Sequence, residues 1–352
     1  MLANRRFWIG AAVTAAFLLL LFWQIDVGEM LSALGQANYV YIVPGVLIYF
    51  VSLYFRAFRW RFLLGSFAEL RTWRLYPVVL VGYMANNLVP MRLGEVARSY
   101  FLSTREPVRG STALATIIVE RVFDGLALLS LLALAGLALP IGDLIARTSD
   151  AVRLVPGVVV AVFVLPFIVA LALMALAALY PDRMREFMAL FVRRLPARFQ
   201  ERVMALLERF LIGFAGLHRP RRLATALLLS LPIWLAEAAM YFVIGIGFGL
   251  YDAFDGFMHA AAAILMVTAL SNLATSLPSS QGSVGPFEFF ASITLVGLGV
   301  DGGTASAYAV VLHAALLLPP VVAGLAYLAS RSVSLGQLTR GAAPTPAKDK
   351  SA

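Results

Sequence analysis

The chain alternates long apolar runs with short polar and basic stretches. Runs at 7–23, 39–56, 112–139, 154–179, 223–250 and 303–330 approach or exceed the ~18 apolar residues that let a helix cross a bilayer, and they predict about six full spans. Two further apolar stretches, 75–104 and 257–300, are interrupted near their middles. The first carries Asn86, Asn87, Pro90, Arg92, Gly94 and Glu95. The second carries Ser271, Asn272, Thr275, Ser276 and Pro278, then Ser279, Ser280, Gln281, Gly282, Ser283, Gly285, Pro286 and Glu288. Proline removes a helix hydrogen bond and glycine weakens the helix. Such backbone survives at membrane depth only where it is buried in protein or lines a wet cavity. The expected fold is therefore an all-α polytopic membrane protein with two broken or re-entrant elements.

Composition supports this reading. Of 352 residues, 61% are hydrophobic and 13% charged, too apolar for a soluble domain of this length. The absence of cysteine excludes a disulfide framework, thiol catalysis and Cys-ligated zinc. The net charge of +9 would suggest nucleic acid in a soluble protein. Here 25 of the 28 basic residues fall in segments 1–6, 56–74, 91–111, 181–222 and 331–352, beside the spans, so topology and anionic lipid account for them and no nucleic acid is expected. Segments 24–38, 251–256 and 300–302 hold none, and by the positive-inside rule both termini are cytoplasmic. The first run, preceded by Arg5 and Arg6 and followed by Gln24, Ile25 and Asp26, reads as an uncleaved signal anchor in the cell membrane. Within 181–222, Met184, Phe187, Met188 and Phe191 recur at helical spacing among arginines, as in amphipathic helices on anionic inner-leaflet lipid.

The order span, span, broken element, span occurs twice, which predicts inverted halves because each half holds three spans. Glu95 is followed 17 residues later by Thr112 and nine later by Arg121; Glu288 is followed 16 residues later by Thr304 and nine later by His313. Thr112, Ala113, Ala115 and Val119 match Thr304, Ala305, Ala307 and Val311. The expected division is a first repeat at 1–140, a second at 141–331 including the basic segment 181–222, and a disordered cytoplasmic tail at 332–352. Inverted repeats with discontinuous helices are a transporter architecture, with substrate near the midplane.

Intramembrane charge is costly, about 2.5–3.5 kcal/mol on insertion scales, and marks function by default. The third span carries Glu120, Arg121 and Asp124, with both carboxylates on one helical face. Glu237 sits near the centre of 223–250 with no cation within a turn, so it needs a partner from another helix, a proton or water. Arg59 and Arg61 read as a snorkelling belt at the end of the second span. His259 and His313 read as satisfied polar residues in apolar helices rather than ligands. Enzyme templates find no match: no glycine-rich phosphate loop after a strand, and no His-Glu-x-x-His.

Three groups of residues carry a family resemblance. They are Asn87, Pro90, Arg92, Gly94, Glu95 and Arg98; then Glu120, Arg121 and Asp124; then Pro278, Gly282, Gly285 and Glu288. The set resembles the flippase-like transmembrane domain of lysylphosphatidylglycerol synthases, a domain that also occurs alone, and the likeness covers roughly 5–330. Relatives usually show two consecutive glycines after the second proline, where Ser280 and Gln281 stand here. In bifunctional members the domain is taken to move a charged lipid between leaflets while a separate domain makes it. No synthase-sized segment follows Arg331, so the resemblance implies translocation without synthesis: a transport protein and not an enzyme, with no cofactor and no metal. The expected substrate is a phospholipid or isoprenoid-linked lipid, and a homo-oligomer is left open. The expected cavity is lined by Asn87, Arg92, Glu95, Arg98, Glu120, Arg121, Asp124, Glu237, Asn272, Ser280 and Glu288. The arginines would meet phosphate as charge-assisted donors, and the carboxylates would balance them or bind a cationic headgroup. An ion- or proton-coupled small-solute transporter and an intramembrane transferase acting on a polyprenol-linked substrate are the alternatives.

The charge census makes a direct prediction. Cysteines placed at Gln36 and Asp255 react with an impermeant thiol reagent from outside intact cells, and one at Ala197 does not; the reverse pattern would overturn both topology and repeat.

Overall fold

The structure is a computed structural model. It describes residues 5–24, 26–65, 67–88, 94–139, 220–276 and 281–331, and between 165 and 208 chiefly 180–194. The expected tail at 332–352 lies outside the described residues, as does almost all of the expected span at 154–179. The described residues form helices and short 3-10 turns, with no strand among them.

Helix α1 is Arg5–Gln24 and α2 is Val27–Gln36. The stretch 24–38 is thus not a plain loop. Asp26 starts α2 by accepting the Gly28 N–H at 2.7 Å, as an N-cap carboxylate does. A 3-10 turn at Tyr39–Tyr41 leads into α3, Ile42–Leu64, which runs well beyond the expected end at residue 56. Helix α3 exposes Val43, Leu47, Val51, Tyr54 and Phe58 and buries Ser52, Arg56 and Arg59. Apolar side chains outside and charged ones inside reverse the pattern of a helix in water. This is the arrangement that hydrocarbon solvent demands.

The first broken element is α4, Thr72–Leu88, followed by α5, Gly94–Ser103. Helix α6 is Gly110–Ala138 and carries Glu120, Arg121 and Asp124 near its middle. Helix α7, Pro181–Val192, buries Met184 in a cluster that includes Val119 and Phe123 of α6 and leaves Phe187, Leu190 and Phe191 exposed. The expected span at 223–250 is two helices, α8 at Pro220–Leu228 and α9 at Leu231–Gly247. The second broken element is α10, Phe257–Ala274, a 3-10 turn at Gln281–Ser283, and α11, Pro286–Gly297. Helix α12 is Gly302–Ser330, with Pro319 and Pro320 inside it. Among the described residues, Tyr39–Leu64, Arg221–Gly247, Phe257–Ala274 and Gly302–Ser330 are long and apolar enough to cross a membrane. At 1.5 Å per residue, α5 reaches about 15 Å and α11 about 18 Å, well short of the ~30 Å hydrocarbon core. Both are partial-depth arms.

Packing brings the arms together. Helix α5 folds back on α4, and a Cβ on Gly94 would collide with the Gly82 carbonyl and with Asn86. Helix α3 lies along α9; α4 packs on α12, and α10 on α6; α5 lies beside α6, and α11 beside α12. Exchanging α3 with α9, α4 with α10, α5 with α11 and α6 with α12 keeps the α3–α9 pairing and interchanges the others in pairs. The 3-10 turn of the second element rests against α4 of the first. The shared core contains Tyr49, Leu53, Trp60, Tyr241, Phe287 and Tyr308.

Candidate functional site

Helical spacing sets up a buried ion network. Glu120 and Asp124 stand one turn apart on α6, and Arg56 and Arg59 stand on one side of α3. Arg59 donates to Asp124 Oδ1 at 2.7 Å and lies 3.8 Å from Glu120 Oε1. Arg98 of α5 donates to Glu120 Oε2 at 2.7 Å. Arg56 donates to Glu237 Oε2 of α9 at 2.7 Å and lies 3.6 Å from Asp124 Oδ2. Ser230, at the break between α8 and α9, accepts from Arg59 at 2.6 Å. Arg121 closes the set, 3.4 Å from Glu95 and 3.6 Å from Asp124.

The network is neutral as drawn: Arg56, Arg59, Arg98 and Arg121 face Glu95, Glu120, Asp124 and Glu237. Balance is what lets it exist at this depth, since one unpaired buried charge costs several kcal/mol. Aromatic rings complete the shell. The Arg98 guanidinium lies 3.7 Å from the Trp60 ring centre, and that of Arg56 lies 4.6 Å from Trp234. Cation–π contact in a desolvated site adds about 2 kcal/mol. Trp234 Nε1 donates to Asp124 Oδ1 at 3.2 Å, and Trp60 Nε1 donates to Thr116 at 3.0 Å.

Saturation is incomplete. The Nε atoms of all four arginines find no hydrogen-bond acceptor among the described residues, and Asp124 Oδ2 finds no donor. The 3.4–3.8 Å contacts are ion pairs rather than hydrogen bonds. Accessibility is uneven as well. The Arg121 side chain is 35% exposed and that of Glu95 21%, whereas the other six are at most 6% exposed.

A second polar cluster lies at the second broken element. Glu288 accepts the Gly285 N–H at 2.7 Å through Oε2, and its Oε1 lies 2.6 Å from His313 Nδ1. His313 Nε2 lies 2.9 Å from the Gly282 carbonyl, and the imidazole stacks on Phe287. One turn of α9 joins the clusters, because Tyr241 follows Glu237 by four residues and packs edge-on to Phe287.

The expected site residues divide accordingly. Glu95, Arg98, Glu120, Arg121, Asp124 and Glu237 meet in the first network; Glu288 belongs to the second cluster. Asn272 donates to Tyr241 Oη at 2.9 Å, and Asn87 donates to the Leu317 carbonyl at 3.1 Å beside Pro319 and Pro320 of α12. Arg92 and Ser280 lie outside the described residues. Arg59 corrects the sequence reading, as does Arg56, which was not among the expected site residues. Arg59 is no snorkelling cation: α3 continues past it and turns both arginines into the bundle, while Arg61 is exposed. The signal was present, since Ser52, Arg56 and Arg59 recur at helical spacing opposite Val51, Tyr54 and Phe58. His313 is the satisfied polar residue expected, with Nδ1 at Glu288 and Nε2 at the Gly282 carbonyl.

A family model described as the lysylphosphatidylglycerol synthase TM region matches residues 7–324. Glycosyltransferase AglD of Haloferax volcanii is 27% identical over 93% of this chain, and the chain spans about half of that relative, 54% of its length. A UPF0104 membrane protein of Methanothermobacter thermautotrophicus is 26% identical over 87% of this chain and 88% of its own. One of Pyrococcus horikoshii is 23% identical over 82% and 86%. No solved structure matches. The expectation that the chain is not an enzyme is overturned here, because a relative aligned to nearly all of it bears an enzyme's name.

The network predicts non-additive substitutions. Arg59→Met alone removes the 2.7 Å bond to Asp124, leaves the network one positive charge short and should cost about 3–5 kcal/mol, read as a lowered Tm in detergent. Arg59→Met with Asp124→Leu should recover much of that loss. A double variant no more stable than the sum of the singles would show that the two residues are not a pair.

Proposed function

The chain belongs to the lysylphosphatidylglycerol synthase transmembrane-region family, and from that premise we propose that it moves the phosphate-bearing headgroup of a lipid, or of a lipid-linked intermediate, between leaflets. The headgroup crosses the polar interior between the two broken elements while its tails stay in hydrocarbon. One observation carries this reading: among the described residues the ion network has its accessible corner at Arg121 and Glu95. Arg121 is permanently cationic, and its contacts at 3.4 and 3.6 Å are looser than the 2.7 Å bond between Arg98 and Glu120 deeper inside. A phosphate oxygen arriving there would gain a charge-assisted, bidentate partner at little cost to the buried pairs. Glu95 is displaced or neutralised in that exchange, or left to meet a cationic headgroup.

The rest of the proposal follows the packing. The reciprocal helix pairings, and the two side-chain contacts Glu95–Arg121 and Glu288–His313 at similar spacing, support inverted halves divided near residue 140. Both termini are placed on the cytoplasmic side, with α7 on anionic inner-leaflet lipid. The relative named a glycosyltransferase favours a second reading: the same corner receives a lipid-linked sugar for transfer, with Glu95 as the carboxylate within reach of it.

The full chain reconstituted in vesicles tests both. Headgroup-labelled phospholipid and a labelled polyprenyl-phosphate sugar are followed by quenching from outside. The unaltered protein is expected to exceed empty vesicles by about tenfold or more; Arg121→Gln removes most of that and Arg121→Lys retains part, since a point charge replaces a planar fork. Rates equal to empty vesicles would overturn translocation. A new glycolipid in the recovered lipids, lost in Glu95→Gln, would establish the second reading.

A further inference from the structure

His313 stands between two acceptors. Its Nδ1 is 2.6 Å from Glu288 Oε1, and its Nε2 is 2.9 Å from the Gly282 carbonyl. A neutral imidazole carries one N–H and can donate to one of them. Keeping both contacts takes one more proton, on the ring or shared with the carboxylate. We propose that His313 and Glu288 form a proton-binding site whose occupancy holds the turn at 281–285 on α12. This does not rest on the translocation proposed above.

The turn is suited to being held. Gly282, Ser283 and Gly285 all have positive φ, at 68°, 62° and 98°, and Ser283 is the one non-glycine residue with positive φ among those described. Such backbone persists when its surroundings over-determine it. Here the surroundings are His313 on Gly282, Glu288 on the Gly285 N–H, and Thr14 of α1, whose hydroxyl donates to the Val284 carbonyl at 2.9 Å. Loss of the extra proton removes the donor from Gly282 or sets Nδ1 against the carboxylate, so the turn loosens as pH rises.

The groups around the imidazole leave it one charged neighbour among the described residues. Helix α11 presents Glu288 and Phe287. Helix α4 reaches α12 one turn on, through Asn87 at Leu317, and its Arg74 pairs with Glu106. Arg56 of α3 and Glu237 of α9 are paired with each other, Tyr241 of α9 touches Phe287, and Glu29 of α2 lies at the Gly303 end. The contrast with the other half is chemical: Glu95 faces a guanidinium that does not titrate, and Glu288 faces an imidazole that does.

The test uses the full chain in lipid nanodiscs. The natural chain has no cysteine, so Ser283→Cys supplies a single thiol on the turn. Its rate of maleimide labelling is divided by that of Asp255→Cys, an exposed reference, and the same thiol in a His313→Gln chain controls for its own ionisation. From about pH 5 to about pH 9, where imidazole titrates, the ratio should rise severalfold, and His313→Gln should make it flat. A flat ratio with His313 present would overturn the latch. The unaltered chain, with 15N-labelled histidine, gives a second readout by nuclear magnetic resonance, assigned with His218→Gln and His259→Gln. His313 should hold both ring protons at the acid end and lose one as pH rises; a ring with one N–H throughout would overturn the proton site.

Discussion

The structure depends on electroneutrality in a place without bulk water. Four guanidinium groups and four carboxylates meet where α3, α5, α6 and α9 converge, and most are buried. Two unit charges at 4 Å interact by about 4 kcal/mol at an effective dielectric of 20, against a desolvation penalty of several kcal/mol per ion. Neither term tolerates an odd charge. The pairing therefore fixes which helices can be neighbours. Arg56 ties α3 to α9, Arg59 ties α3 to α6, and Arg98 ties α5 to α6.

The hydrocarbon solvent explains the rest of the packing. With nothing to gain from hiding leucine, the helices turn apolar faces outward and use small residues and polar contacts inside. Gly82 and Gly94 let the first hairpin close, and Gly324 lets α12 approach Met84. The broken elements follow the same logic. Freed backbone groups of the second are met by His313, Glu288 and Thr14 rather than by lipid, while Asn87 at the end of α4 donates to the Leu317 carbonyl of α12.

Much of this was legible in the chain itself. Asn86 to Glu95 and Thr275 to Glu288 announced the breaks, because proline, glycine and amides cannot continue a membrane helix unaided. Glu120, Arg121 and Asp124 announced the charged helix, and the 95–121 and 288–313 spacings correspond to pairs in contact. What escaped were partners distant in sequence. Counting an apolar run ends a span at its first arginine, which hid Arg56 and Arg59 although their helical phase continues to Leu64. Glu237 needed a cation from another helix, and no local pattern names one 181 residues away. Helix α2 was missed because its apolar face matters only against α12, and its start is set by one aspartate.

The central claim is that Arg121 is the open corner of a closed, neutral network and meets a lipid phosphate there. Native mass spectrometry of the full chain released from mild detergent tests it most directly. The account predicts that the protein retains a phosphate-bearing lipid as salt rises, and that Arg121→Gln loses this lipid while remaining folded. Equal retention by both forms, or retention lost only when the buried Arg98 is altered, would contradict it.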